Sequence, residues 1–205
     1  LKCSEAPDEP ESVSNETLYQ LSCFIDKDVK YLHTGLKNRL TETIHKNSAT
    51  LGRDADYTKS SLISRLPAYL SIQFVRFYYK EKEKINAKIL KDVKFPLTLD
   101  VYELCRPELQ QKLIPIRDRF KIMDDKKLEE EKKAKLEGKK SAQEKMDVDK
   151  EEKKEYESYS FPDDIGSNNS GLYELQAVLT HQGRSSSSGH YVAWIKRNDR
   201  KQKVF

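Results

Sequence analysis

The residues best equipped for chemistry stand in the last quarter of the chain. His181 and His190 flank the connection Gln182-Gly183-Arg184-Ser185-Ser186-Ser187-Ser188-Gly189. An imidazole can take a proton and return it near neutral pH, so each histidine is a candidate general base. His190 is the better placed of the two. It opens a run of strand-forming residues, His190 to Ile195, beside a glycine that lets another backbone approach closely. The loop before it is longer and more flexible than a hairpin requires, and such loops often carry function. A His-Tyr pair at a strand start is also a common structural feature, so these residues alone leave both readings open. Arg184 directly before four serines is a placement that basophilic kinases accept. A phosphate there would add about −1.5 to −2 charges. A merely flexible hairpin tip is the other account of the same residues.

The elements that must position these residues follow from periodicity. Leu172 to His181 reads as a strand, with Tyr173, Leu175, Ala177, Leu179 and His181 on one face, and His190 to Ile195 is its partner. Leu66-Pro67 opens another strand running to Phe77. Leu70, Ile72 and Phe74 point one way there, and Tyr69, Ser71, Gln73, Val75 and Phe77 the other. Lys80 to Lys91 reads as a charged connection. Val93 to Val101 is extended but interrupted by Pro96. Leu18 to Leu32 suggests two short strands around the Asp26-Lys27-Asp28 turn. Thr34 is placed to cap a helix carrying Leu36, Leu40 and Ile44. A second helix is predicted from Pro107 toward Met123, while Tyr57 to Ser64 is ambiguous.

Composition bounds the rest. The chain has 205 residues, 35% of them charged, yet 38 basic and 34 acidic residues leave a net charge of only +4. That balance argues against a dedicated nucleic-acid binder. No apolar run approaches a membrane span, and no leader pattern precedes the acidic stretch near the start. Asp124 to Tyr156 is almost wholly Lys, Glu, Asp and Ala. It reads as a disordered, solvated insert, with a solvated helix as the other reading, because it has too few apolar residues to cover a core. The expected organisation is therefore 1–123, a charged insert over 124–160, and 161–205. The three cysteines, Cys3, Cys23 and Cys105, have no regular spacing and form no C-x-x-C pair. They suit a reducing compartment and call for neither a disulfide framework nor a metal.

Three motifs in order carry a family resemblance. Tyr173 to Gly183, continued by Gly189-His190-Tyr191, resembles the histidine box of the ubiquitin-specific proteases. Leu66 to Phe77 is similar to the family's internal strand motif. Lys88 to Tyr102, with Val93-Lys94-Phe95-Pro96 and Leu99-Asp100, resembles the segment that follows it. Ser60 to Leu70, Asp163 to Asn169 and Gln182 to Tyr191 look most like the proteasome-associated members. The resemblance implies an α+β, papain-like fold of fingers, palm and thumb, here its fingers and palm portions, built on antiparallel sheet with a few helices. It implies a thiol protease that cleaves isopeptide bonds after the ubiquitin C-terminal glycine and uses no cofactor. His190 matches the catalytic histidine, and His181, Gly189 and Tyr191 would support the site. Tyr79 and Lys80, with Gly183, Arg184, Ser185, Ser186, Ser187 and Ser188, match two loops over the channel for the ubiquitin tail. The implied partners are ubiquitin, its conjugates and the proteasome regulatory particle, with a cytoplasmic or nuclear address.

The sequence also departs from that family's pattern. None of the three cysteines has the neighbours of the family nucleophile. Asp199 is the one carboxylate after His190, and a straight strand would put the two about 30 Å apart at roughly 3.3 Å per residue. The expectation is a C-terminal piece of a longer catalytic domain, inactive alone, with one triad member of three. The competing reading is a catalytically inactive ubiquitin-binding module or scaffold. The charged insert generates the first prediction. Limited proteolysis is expected to cut first within 124–156, and deleting that segment is expected to leave the melting temperature of the remainder unchanged.

Overall fold

The computed structural model describes residues 1–136, 158–183 and 188–197. The chain divides into two compact units. One comprises Leu1–Ile63, Tyr69–Cys105 and the segment from Leu172 onward; the other comprises Ser64–Ala68 and Arg106–Gly171. This division differs from the linear one expected from composition, because segments distant in sequence share a unit.

In the first unit, β1 (Lys2–Cys3), β4 (Arg53–Ser60) and β3 (Thr41–Ser48) form an antiparallel sheet in the order β1-β4-β3. The β3–β4 hairpin turns at Gly52, whose φ of 63° is the left-handed conformation that glycine adopts without strain. Ser48 and Tyr57 donate hydrogen bonds of 2.6 and 2.5 Å to the Glu9 carboxylate. The Ser48 bond first, then that of Tyr57, holds the Glu9 carboxyl below its ordinary range. Cys3, Ala6, Ala55 and Tyr57 bury one face of this sheet.

The helix α1 spans Leu32–Leu40, starts after Tyr31, and has no side-chain cap. It therefore begins before Thr34, and Ile44 lies in β3 rather than on the helix. The run from 41 to 48 satisfies its backbone against β4, from Thr41↔Ser60 to Ser48↔Arg53. Cross-strand pairing thus overrides the helical spacing. β2 (Leu21–Phe24) pairs in parallel with β5 (Ile72–Val75). The second strand expected after Asp26 is absent. Instead the Asp26 carboxylate accepts the N–H groups of Asp28 and Val29 at 2.7 and 2.9 Å, curling the chain toward α1.

The strand predicted from Leu66 to Phe77 is shorter and broken in two, β5 and then β6 (Phe77–Lys80). The charged stretch that read as a connection contains β7 (Ile85–Lys88), which pairs antiparallel with β6. β8 (Thr98–Asp100) pairs with β9 (Leu172–Glu174), and β10 (Ala177–Gln182) with β11 (His190–Ile195). Among the described residues the strands thus form five small sheets, four antiparallel and one parallel.

In the second unit, α2 runs over Pro107–Leu136 and so continues past the expected start of the insert at Asp124. Straight-chain Lys, Glu and Leu residues favour helix even without a core face. Residues 137–157, the rest of that expected insert, lie outside the described residues. Arg65 makes a two-pronged bond to Asp164, at 2.8 and 2.7 Å. The buried run Ser167–Ser170 is polar but satisfied. The Asn168 side-chain oxygen accepts from the Ser170 and Gly171 N–H groups, and the Asn169 amide donates to the Ser158 carbonyl at 2.7 Å.

The contact between β2 and α1 is close-packed. Cys23 is wholly buried, and a Cβ added at Gly35 would lie 2.3 Å from its Sγ. Overpacking of this kind costs about 1–3 kcal/mol. Gly35→Ala is expected to lower stability by that amount. The double variant with Cys23→Ala is expected to lose less than the sum of the two single variants, as read by chemical denaturation of all four proteins.

Candidate functional site

The site is built on the β10–β11 hairpin. Its register runs from Ala177↔Ile195 to Gln182↔His190, and Thr180 Oγ1 reinforces it by donating to the Val192 carbonyl at 3.2 Å. The base of the hairpin is fixed by the Leu175 N–H to the Leu97 carbonyl, 2.8 Å, and by an ion pair between Lys196 and Glu174. The Lys196 ammonium holds the Glu174 carboxyl below its ordinary range. His190 is the first residue of β11 and is exposed, so its ring is available to a reactant.

His181 is placed differently. It is half-buried near the end of β10, opposite Tyr191. Its ring lies 4.8 Å from the Tyr191 ring and 5.8 Å from the Phe77 ring, the latter edge-on. A Cβ added at Gly189 would lie 2.3 Å from His181 Nε2 and 2.5 Å from the Gln182 carbonyl oxygen. One added at Gly183 would lie 2.7 Å from the Ser188 carbonyl oxygen. Both glycines also hold positive φ, 150° at Gly183 and 144° at Gly189. The two ends of the loop are therefore pinched together over the His181 ring, with no room for a side chain at either.

Lys88, on β7, completes this arrangement. Its ammonium donates to the His181 carbonyl at 2.7 Å and to the Gly183 carbonyl at 3.0 Å, and it faces His181 Nδ1 at 3.4 Å. Sequence reasoning missed this residue. It is one lysine among several between 80 and 91, and nothing local marks it out.

The structure thus brings His181, Gly183, Gly189 and Tyr191 together, with His190 next in the chain and Ser188 at the loop's root. Tyr79 and Lys80 lie on β6, paired with Asn86 and Ile85. Lys80 closes its hairpin tip through Glu83 at 3.1 Å, which raises the lysine's pKa. Arg184, Ser185, Ser186, Ser187 and Asp199 lie outside the described residues.

The three thiols are all buried. Cys23 is enclosed between β2 and α1, and burial pushes its thiol pKa up. Cys105 donates to the Val101 carbonyl at 3.3 Å. Thiolate is the nucleophilic form, and burial disfavours it at Cys23. Among the described residues no group of three or more His, Cys, Asp or Glu side chains is placed to hold a metal ion. No described helix is long and apolar enough to cross a membrane.

Comparison with known proteins settles the family. The family model described as ubiquitin carboxyl-terminal hydrolase matches residues 2–204. The chain belongs to the ubiquitin carboxyl-terminal hydrolase family. Ubiquitin carboxyl-terminal hydrolase 14 of Caenorhabditis elegans is 44% identical over 203 residues, covering 97% of this chain and 40% of the relative. Ubiquitin carboxyl-terminal hydrolase 6 of Schizosaccharomyces pombe is 41% identical, covering 100% of this chain and 46% of the relative. The Arabidopsis thaliana protein of the same name is 41% identical, covering 98% and 42%. The chain thus spans less than half the length of these relatives. A chain of the SAGA Ubp8/Sgf11/Sus1/Sgf73 DUB module bound to ubiquitin aldehyde superposes with a TM-score of 0.51 at 19% identity, over 97% of this chain and 32% of that one. A yeast SAGA DUBm structure with an Sgf73 mutant gives 0.52 at 16% identity, over 97% and 32%. The fold is accordingly the α+β fold of ubiquitin-specific proteases.

The buried thiols generate a direct prediction. In the native chain Cys3, Cys23 and Cys105 are expected to react with a chromogenic disulfide reagent at least about 10²-fold more slowly than after unfolding, in keeping with locally stable burial. Rapid modification of any one of them in the folded protein would contradict their enclosure.

Proposed function

We propose that this chain is the histidine-bearing part of a thiol-dependent deubiquitinase acting on isopeptide bonds after the ubiquitin C-terminal glycine. The observation that carries the proposal is the division of labour between the two histidines of the hairpin. His190 is exposed at a strand mouth and free to exchange a proton. His181 is packed between aromatic rings and a glycine, held by a lysine. Family membership supports the reaction class.

In this reading the His190 imidazole takes the proton of a cysteine thiol, and the thiolate attacks the isopeptide carbonyl carbon. The tetrahedral intermediate collapses as the imidazolium returns the proton to the departing lysine amine. Water, activated by the same imidazole, then hydrolyses the thioester. The three buried thiols favour a nucleophile supplied by a part of the parent polypeptide outside these 205 residues. These residues alone would then bind ubiquitin without turning it over. The likeness of Ser60 to Leu70, Asp163 to Asn169 and Gln182 to Tyr191 to proteasome-associated members supports proteasome-bound conjugates as substrates, and a cytoplasmic address goes with that reading. The serine loop, directly ahead of His190, would govern access to it.

The test is steady-state hydrolysis of a fluorogenic ubiquitin substrate by the full-length polypeptide. His190→Ala is expected to lower kcat by at least about 10²–10⁴-fold, the usual worth of a general base, while leaving ubiquitin affinity nearly unchanged. His181→Ala is expected to cost less. Reversed effects would transfer the catalytic role to His181.

A further inference from the structure

We propose that Lys88 is a positioning residue for the proposed general base, acting on His190 through His181 and the loop root; this rests on the deubiquitinase reading above.

An ammonium has three donors and no acceptor. At Lys88 all three directions meet one small region, the carbonyl oxygens of His181 and Gly183 and the ring nitrogen Nδ1 of His181. The carbonyls lie on either side of Gln182, the residue paired with His190 across the hairpin. Lys88 therefore grips the backbone segment that sets where His190 begins. It comes from β7, a strand that pairs with β6 and not with this hairpin.

The ring contact adds a chemical constraint. An ammonium can only donate, so the 3.4 Å contact fits the tautomer in which His181 Nδ1 accepts and the ring proton is on Nε2. That nitrogen faces the bare Cα of Gly189, where a Cβ would come within 2.3 Å. Phe77 and Tyr191 hold the ring's other contacts, at 5.8 and 4.8 Å between centroids. The ring cannot tilt without pressing on Gly189, and Gly189 cannot move without carrying His190. A cation on a neighbouring strand thus fixes the imidazole beneath the loop root, and that imidazole fixes the residue before the proposed base. Lysine suits this place because its charge is compact and its donors converge on a point. A guanidinium spreads its donors in a plane and meets at most part of the set.

The experiment uses the full-length polypeptide with Lys88→Met, Lys88→Arg and His190→Ala. Three readouts are taken: kcat and KM on a fluorogenic ubiquitin substrate, thermal melting, and nitrogen NMR of the His181 ring. Small displacements of a catalytic group cost up to about 10²-fold in rate. Lys88→Met is expected to lower kcat by about 10–100-fold with KM within about twofold, and Lys88→Arg to recover part of the loss. The ring spectrum is expected to show a protonated Nε2 in the parent protein and to lose that single tautomer in Lys88→Met. Unchanged kcat in Lys88→Met would overturn the proposal. So would a parallel loss of kcat, KM and melting temperature that Lys88→Arg does not relieve, since that describes a merely structural residue. An unchanged ring spectrum would also overturn it. If His190→Ala retains full turnover, the deubiquitinase reading of His190 fails instead, and the ring spectrum still decides whether Lys88 holds His181.

Discussion

The space above the His181 ring is too small for any side chain, and much of the hairpin's geometry follows from that fact. Gly189 lies where a Cβ would come within 2.3 Å of Nε2, and Gly183 where one would strike the Ser188 carbonyl. Two glycines at positive φ let the backbone close over the ring. The loop between them consequently leaves and re-enters at one point, and β11 starts with His190 opposite Gln182. Replacing either glycine would oblige the loop root to open, and His190 is the first residue to feel it.

A two-stranded ribbon is marginally stable by itself in water. The β10–β11 pair is therefore held by side chains from other segments of its unit. Lys88 contributes charge-assisted bonds, each worth about 1.5–3 kcal/mol in favourable settings and less where water screens it. Phe77 supplies an aromatic edge, and the β8–β9 pair anchors the strand that leads into β10. The same design recurs across the molecule. Among the described residues the strands form several small sheets, and specific side-chain ties join them to neighbouring segments. Lys91 reaches the Asp26 and Lys27 carbonyls, Arg76 reaches the Lys91 carbonyl at 2.7 Å, and Glu9 joins Ser48 to Tyr57. Several of these ties depend on ionised carboxylates. Asp26, Glu9, Glu103 and Asp164 all sit below their ordinary range, each held chiefly by hydrogen bonds from its partners. A carboxylate whose folded pKa is depressed stabilises the fold above its unfolded pKa. That contribution is lost as pH falls through the folded value. Acid thus loosens these ties.

Much of the local structure was legible in the residues. The β10–β11 pair followed from the alternation of Ala177, Leu179 and His181 and from the strand-forming run after His190, but the single strand expected over Leu172 to His181 is split into β9 and β10, because β9 pairs with β8 instead. The start of α2 at Pro107 followed from the proline, which suits the first turn of a helix. The family was legible in three ordered motifs, and His190 was preferred to His181 as candidate base from its place at a strand start beside Gly189. Other elements were misread where local pattern and distant pairing disagreed. Leu36, Leu40 and Ile44 have helical spacing, yet Ile44 faces Tyr57 in a hairpin. Ile85 to Lys88 lies within the stretch that read as a charged connection, yet it completes a ribbon with β6. Even within β10 the alternation does not say which face is covered, and Leu179 is 69% exposed.

What the sequence determined by itself is therefore what depends on neighbours: strand and helix tendencies, the bare loop root, the candidate base and the kinship that its motifs announce. The tertiary structure decided everything that joins residues far apart. Lys88 and His181 are 93 positions apart, and no periodicity reaches that distance. A lysine in a charged run looks like any other until folding brings one ammonium within reach of two carbonyls and a ring nitrogen. The enclosure of the three thiols was decided in the same way. Burial is a property of what packs around a residue, and for Cys23 that is Gly35 on a helix whose approach depends on the absence of a single methyl group.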